Sequence, residues 1–165
     1  MIGECMMDMS QGKLYLRPAV MEDKEMLFRW RNDPICRKNS VNTDRIEFNS
    51  HCLWLSEKLS SSKCDIFICM KQDIPIGQVR VDYEGKVGKI SYSIAHEFRG
   101  AGYGFRVLEL LEEKEKGKGN LHMLCALVKK NNIASMRCFQ MLGYNKANKG
   151  DFIYYSKVLY REDRW

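Results

Sequence analysis

Gly100, Gly102 and Gly104, three glycines at alternate positions in Arg99-Gly100-Ala101-Gly102-Tyr103-Gly104, stand between a strand-like and a helix-like segment. Upstream, Lys89 to Ile94 alternates apolar Ile90, Tyr92 and Ile94 with polar Lys89, Ser91 and Ser93, the period of a half-buried strand. Downstream, Gly104, Val107, Leu108 and Leu111 fall on one helical face, with Glu109, Glu112, Glu113 and Lys116 largely elsewhere. A loop without Cβ atoms can turn several backbone N–H groups toward one anion, and the helix that follows adds unpaired amides and the positive end of its dipole. The predicted ligand is a pyrophosphate. Phe105-Arg106 follows Gly104 where a P-loop would have Lys-Ser/Thr, so nothing is placed to hold magnesium and a γ-phosphate. The next strand, Leu121 to Val128, ends in Lys129-Lys130, the wrong charge for the ribose diol of a dinucleotide.

The chain's 165 residues suit one domain, enough to bury about 70% of the unfolded surface. Residues 1–12 read as a disordered leader with neither a basic n-region nor an apolar h-region, and residues 161–165 as a tail. Seven cysteines, an odd number without a Cys-x-x-Cys pair, point to reduced thiols and a cytoplasmic setting. His51, His96 and His122 lack ligand spacing, so no metal is expected. The net charge of +6 is spread along the chain without aromatic-basic interleaving, and no apolar run approaches membrane length; neither nucleic acid nor membrane is an expected partner. Strands are predicted at 13–19, 65–71, 74–83, 87–95, 121–128 and 152–159. Helices are predicted at 20–31, 45–59, 103–116 and 132–142, the first ended by Asn32-Asp33-Pro34.

The Arg99, Gly102 and Gly104 spacing resembles the Arg/Gln-x-x-Gly-x-Gly/Ala motif of the GNAT acetyltransferase superfamily. Further on, Asn132-Ile133-Ala134-Ser135 followed by Cys138-Phe139-Gln140-Met141-Leu142-Gly143-Tyr144 is similar to that family's Asn-x-x-Ser and Leu-Tyr-x-x-x-Gly-Phe helix. The resemblance implies an α/β (α+β) fold over residues 13–160: a mixed central sheet of six to seven strands splayed in a V, flanked by about four helices. It implies acetyl-coenzyme A (acetyl-CoA) in the gap between residues 89–95 and 121–128, with its pyrophosphate on residues 99–104. The implied cofactor contacts are Ile94, Ala95, Arg99, Gly100, Ala101, Gly102, Tyr103, Gly104, Asn132, Ser135 and Phe139.

The implied reaction is direct acyl transfer from a thioester to an amine in a ternary complex, where alignment alone removes about 7–11 kcal/mol of barrier. The family meets the thioester oxygen with a main-chain N–H, here of Ser93 or Ile94. Its usual tyrosine acid falls on Phe139, so a thiolate of pKa about 8.5 is expected to depart unassisted; Tyr144 reads as core. Many relatives place a glutamate near Lys89. The remaining candidates for the amine proton are Ser91 or Ser93 through water, His96, and Glu84 or Asp82, with a surface or cofactor contact as the alternative for His96.

Phe28-Arg29-Trp30-Arg31-Asn32-Asp33-Pro34 and Arg37-Lys38-Asn39-Ser40 resemble the segment that acetyltransferases of nucleotide-linked amino sugars carry, as in the pseudaminic-acid pathway. Trp30, Arg31, Asn32, Arg37, Asn39 and Ser40 are accordingly expected at the acceptor: guanidinium suits phosphate, amide suits hydroxyls and the ring packs on a sugar or base. An ordinary helix end with Trp30 in the core is the competing reading. The expected partner is a small amine, nucleotide-linked, acted on by a monomer or homodimer. Two alternatives stay open. Arg17-Pro18 with the Arg-Trp segment suits a protein N-terminal acetyltransferase of the ribosomal-protein type, and Phe139 with Lys89 suits a non-catalytic acyl-CoA-binding module.

Overall fold

The structure, a computed structural model, describes residues 12–160. Its strands are of two kinds. β2 (Cys64–Lys71) is an almost continuous apolar run because both its faces are covered. Ile66, Ile68 and Met70 pack with Leu27 of α1 (Lys24–Asn32) and Leu55 of α3 (Phe48–Ser60), while Phe67 and Cys69 join the core beneath α4 (Tyr103–Lys118). β3 (Ile74–Glu84) and β4 (Val87–Ile94) alternate instead. Val79, Val81 and Ile90 share a core with Val107, Leu108 and Leu111, whose helical spacing turns one face of α4 inward. Burying each of these side chains is worth about 1.5–3 kcal/mol.

β1 (Leu14–Pro18), β5 (Met123–Lys129), β6 (Asn145–Lys149) and β7 (Phe152–Val158) complete a seven-stranded sheet of order β1-β2-β3-β4-β5-β7-β6. β1 to β4 run antiparallel, as do β5, β7 and β6; β4 and β5 are parallel. Their pairing covers only Val87↔Met123, Gly88↔Leu124 and Lys89↔Cys125 before the strands part, which is the expected V. From Ile90 to Ile94 the edge of β4 toward β5 has no strand partner.

Local expectations are corrected at residues 34–39, at the start of α3 and at β6. Asn32-Asp33-Pro34 does end a helix, but Pro34 also opens another, α2 (Pro34–Asn39). Asp33 caps it by accepting from Ile35 N at 3.1 Å and Cys36 N at 2.9 Å, and proline at the first helical position forfeits no bond. With α5 (Ile133–Met141) the described residues hold five α-helices, in keeping with the expectation of about four. α3 begins at Phe48 and not near Arg45. β6 was not predicted because Asn-Lys-Ala-Asn-Lys is exposed throughout and carries no alternation to read. Apart from Gly12, the leader lies outside the described residues, and so does the tail. No helix among the described residues is long and apolar enough to cross a membrane, and no cluster of His, Cys, Asp or Glu among them could hold a metal ion.

Candidate active site

Beyond β2 the apolar layer under α1 and α3 gives way to a polar floor. Cross-strand register sets Gln78 opposite Ser93, Arg80 opposite Ser91 and Asp82 opposite Lys89, and all six line a cavity of about 670 Å³. Its roof is α1, α2, the connection to α3, and α3 itself; its far wall is β5 and α5 where β4 and β5 have parted. A space of this size accommodates a small-molecule ligand.

The wall expected to face the cofactor is mostly backbone. Gly100 (φ +77°) and Gly102 (φ +83°) take left-handed conformations that other residues adopt only under strain, and a Cβ at either would point into open space. α4 starts immediately after Gly102 with no side-chain cap and no acidic residue in its first turn, so its leading amides stay available to an anion. This cradle fits a pyrophosphate. Gly104 is needed for contact: a Cβ there would lie 3.3 Å from Tyr92 Cε2 and 3.4 Å from Cys138 Sγ. Tyr103 is buried and anchors the helix, its hydroxyl accepting from Lys71 Nζ at 2.7 Å. Ala95 N donates to Ile76 O, so its amide serves the sheet.

Arg99 turns back from the loop. Its Nε donates to Ile94 O at 3.0 Å and its Nη2 to Asp33 Oδ1 at 2.8 Å, while Nη1 is buried without a partner. Burial raises the Asp33 pKa, but hydrogen bonds from Cys36 N and Arg99 outweigh it and hold the carboxyl below its usual range. Across the gap, Asn132, Ser135 and Phe139 line the cavity, and Asn132 Oδ1 accepts from Ser135 N at 3.3 Å to cap α5.

The wall expected to face the acceptor is built from side chains. Trp30, Arg31, Asn39 and Ser40 line the cavity; Asn32 and Arg37 do not. Asn32 clamps the backbone of Ile46 in both directions, at 3.0 and 2.9 Å, and Arg37 Nε donates to Thr43 O at 3.1 Å. Both therefore staple the connection between α2 and α3. Arg31 Nη2 adds a bond to Asn42 O at 2.8 Å, and its Nη1 is sealed from water with no partner. Among the described residues Asp82 is the one carboxylate on the lining, and Lys58 Nζ (2.7 Å) and Arg80 Nε (2.8 Å) occupy both its oxygens. Burial raises its pKa, but these cations more than offset that and keep it ionised.

A model of the acetyltransferase (GNAT) domain family matches residues 13–145. The chain belongs to that family. It is a mixed α/β acetyl-CoA-dependent N-acetyltransferase. No curated protein sequence matches it. Among solved structures, it aligns with a domain from Methanocaldococcus jannaschii DSM 2661 at TM-score 0.79 and 22% identity, over 88% of this chain and 98% of that one. It also aligns with spermidine N-acetyltransferase from Vibrio cholerae in complex with CoA and spermine, at 0.81 and 15% over 88% and 95%. A third is RimL, a ribosomal protein acetyltransferase in complex with CoA, at 0.78 and 14% over 88% and 93%. At these identities the likeness is one of fold.

In this GNAT domain His96 is exposed on a single 3-10 turn (His96–Phe98) and Glu84 is exposed at the end of β3; neither lines the cavity. Tyr144 is buried edge-on against Phe139, away from the lining, with its pKa raised by burial and by Glu112. Ser91 and Ser93 do sit on the floor, their hydroxyls accepting from Arg80 Nη2 at 3.5 Å and Gln78 Nε2 at 3.2 Å. His51, a histidine without ligand spacing in the sequence, also reaches the site. It is buried, lines the cavity, stacks on Trp54 at 5.9 Å and bonds Lys24 O through Nε2 at 2.9 Å. That bond leaves Nδ1 as the acceptor of the neutral ring, and burial lowers the pKa so that the ring stays neutral. Its position four residues before the fully buried Leu55, on one helical face, was the available signal. Arg80 over the Trp54 ring at 5.3 Å is likewise invisible in a linear reading.

Proposed function

We propose that this enzyme acetylates the primary amine of a small acceptor that carries phosphate, as an amino-sugar nucleotide does. The observation behind this reading is the charge of the cavity. Arg31, Arg80 and Lys89 line it, against a single carboxylate already neutralised by Lys58 and Arg80. A polyamine or aminoglycoside needs free carboxylates to offset its charge, and burying one here would set like charges together. A phosphate would instead meet the cations that line this wall, and guanidinium binds phosphate with directed, charge-assisted bonds.

Acetyl-CoA supplies an activated acetyl thioester. Residues 99–104 and the first turn of α4 hold its pyrophosphate, and the unpaired edge of β4 and the Asn132, Ser135, Phe139 face of α5 bound the gap. The floor hydroxyls of Ser91 and Ser93 position the acceptor, and the His51 ring, neutral with Nδ1 as acceptor, takes the amine proton directly or through water. The test is a measurement of CoA release with amino-sugar nucleotides, spermine, an aminoglycoside and N-terminal peptides. Turnover of the sugar nucleotide at least tenfold above the others is expected; preference for spermine or the aminoglycoside would overturn the reading, and preference for peptides would select the protein-acetylating alternative.

A further inference from the structure

Cross-strand register makes the cavity floor a ladder of three rungs, Gln78 with Ser93, Arg80 with Ser91 and Asp82 with Lys89, whose side chains share one face of β3 and β4. Successive rungs are about 6.6–6.8 Å apart, because side chains on one face recur at every second residue. Chain direction gives the ladder two ends. Ser93 and Ile94 lead toward residues 99–104, whereas Lys89 stands at the last pairing of β4 with β5, where the V closes.

The rungs differ in charge as well as in place. Gln78 Nε2 donates to Ser93 Oγ at 3.2 Å, a neutral pair, and Arg80 Nη2 reaches Ser91 Oγ at 3.5 Å. The third rung is broken. Residues directly opposite on antiparallel strands have Cβ atoms about 4.5–5.5 Å apart, so Asp82 and Lys89 would ordinarily pair. Asp82 instead gives one oxygen to Lys58 Nζ and the other to Arg80 Nε. Lys89, exposed in the cavity, has no hydrogen-bond or ion-pair partner among the described residues. Three cations thus stand against one carboxylate at the closed end, and of the three only Lys89 is uncommitted. The roof adds Arg31 to the lining and no carboxylate among the described residues.

We propose that Lys89 selects the acceptor by binding the phosphate of a substrate laid along this floor with its amine at the neutral Gln78–Ser93 rung. The proposal rests on the phosphate-bearing acceptor read above, and adds to it an orientation and a ruler. Amine and phosphate are one to two rungs apart, about 7–13 Å. The ammonium of Lys89 is a point charge on a flexible stem whose three donors follow a phosphate between the second and third rungs, where the Ser91 hydroxyl adds a donor. A molecule too short to reach gains nothing from that charge. One with a second amine in place of the phosphate sets ammonium against ammonium.

Calorimetric binding of ω-aminoalkyl phosphates with two to ten methylenes to the CoA-loaded enzyme tests this, with the ω-amino alcohol of each length as the control without an anion. At the best length wild type is expected to bind the phosphate at least tenfold more tightly than its alcohol, the size of one charged hydrogen bond, and with two methylenes less than threefold more tightly. Lys89→Met should cut the preference at the best length about tenfold, Lys89→Arg should keep it within threefold, and Lys89→Glu should reverse it. Lys89 is exposed and bonds nothing in the fold, so all three variants are expected to melt with wild type. A preference that survives Lys89→Met, or one indifferent to chain length, overturns the proposal and leaves the phosphate reading standing. Equal binding of phosphate and alcohol at every length in wild type, or no binding of any phosphate, removes that reading and the proposal with it.

Discussion

On the cofactor side of the cleft the chain presents backbone: two left-handed glycines, the open first turn of α4 and an unpaired strand edge. On the acceptor side it presents side chains, with Arg31, Trp54, Arg80 and His51 converging from α1, α3 and β3. The difference matters for what each wall can recognise. Backbone amides bind any pyrophosphate of the right reach, and a substitution acts on them only by intruding. Side chains discriminate through charge and shape, and each is replaceable without disturbing the sheet beneath. With the two walls assigned as proposed, coenzyme recognition is general and acceptor choice is particular to this chain.

The largest effect should come from putting a side chain into the backbone wall. Gly102→Arg should weaken CoA binding at least a hundredfold by calorimetry. Holding a non-glycine residue at φ +83° costs about 1–2 kcal/mol, so a folded protein with a lower melting temperature is expected. Unchanged affinity would mean that the loop is not the anion cradle. Next is the side-chain wall. Arg31→Ala should cut kcat/KM for a phosphate-bearing acceptor by 10–100-fold, the scale of a charged hydrogen bond of about 1.5–3 kcal/mol, and leave CoA affinity within twofold. Equal loss for both substrates would erase the distinction between the walls.

Asp33 is where that distinction should fail, because it caps α2 and also receives Arg99 from the cofactor loop. Asp33→Asn should lower stability by about 1–2 kcal/mol in urea and shift both the CoA Kd and the acceptor KM severalfold. A change confined to the acceptor would show the walls to be independent. The smallest effect concerns pH. His51 titrates lower in the folded protein than its unfolded value of about 6.5, so the unfolded chain takes up the proton first. The stability this contributes is complete above about pH 6.5 and is lost as pH falls through the depressed folded value. Wild type should therefore drop in melting temperature between pH 7.5 and 5 by more than His51→Gln does; parallel curves would contradict the burial of a neutral ring.

The same contrast explains what the sequence made legible. Gly100, Gly102 and Gly104, the alternation of β4 and the stripe on α4 are local patterns, and each is visible within a few residues. The acceptor wall depends on contacts across the chain. Asn32 reads as a ligand from its neighbours, but its amide is engaged fourteen residues away at Ile46, and the bond from Arg99 Nη2 to Asp33 joins positions 66 residues apart that no local pattern connects. Pro34 obeyed two rules at once, ending α1 and opening α2, and only the Asp33 cap decides between stopping and restarting. β6 had no signal because an exposed edge strand needs no apolar face.

α2 is fastened at both ends by distant parts of the chain: Arg99 holds its cap at Asp33, and Lys129 Nζ at the end of β5 holds Lys38 O at 2.8 Å. Anyone exchanging acceptor preference between relatives by transplanting residues 34–47 as a cassette would carry over the roof without its anchors. The transferable unit is discontinuous, the segment together with positions 33, 99 and 129, and a graft that ignores those three should arrive folded but misaligned over the floor.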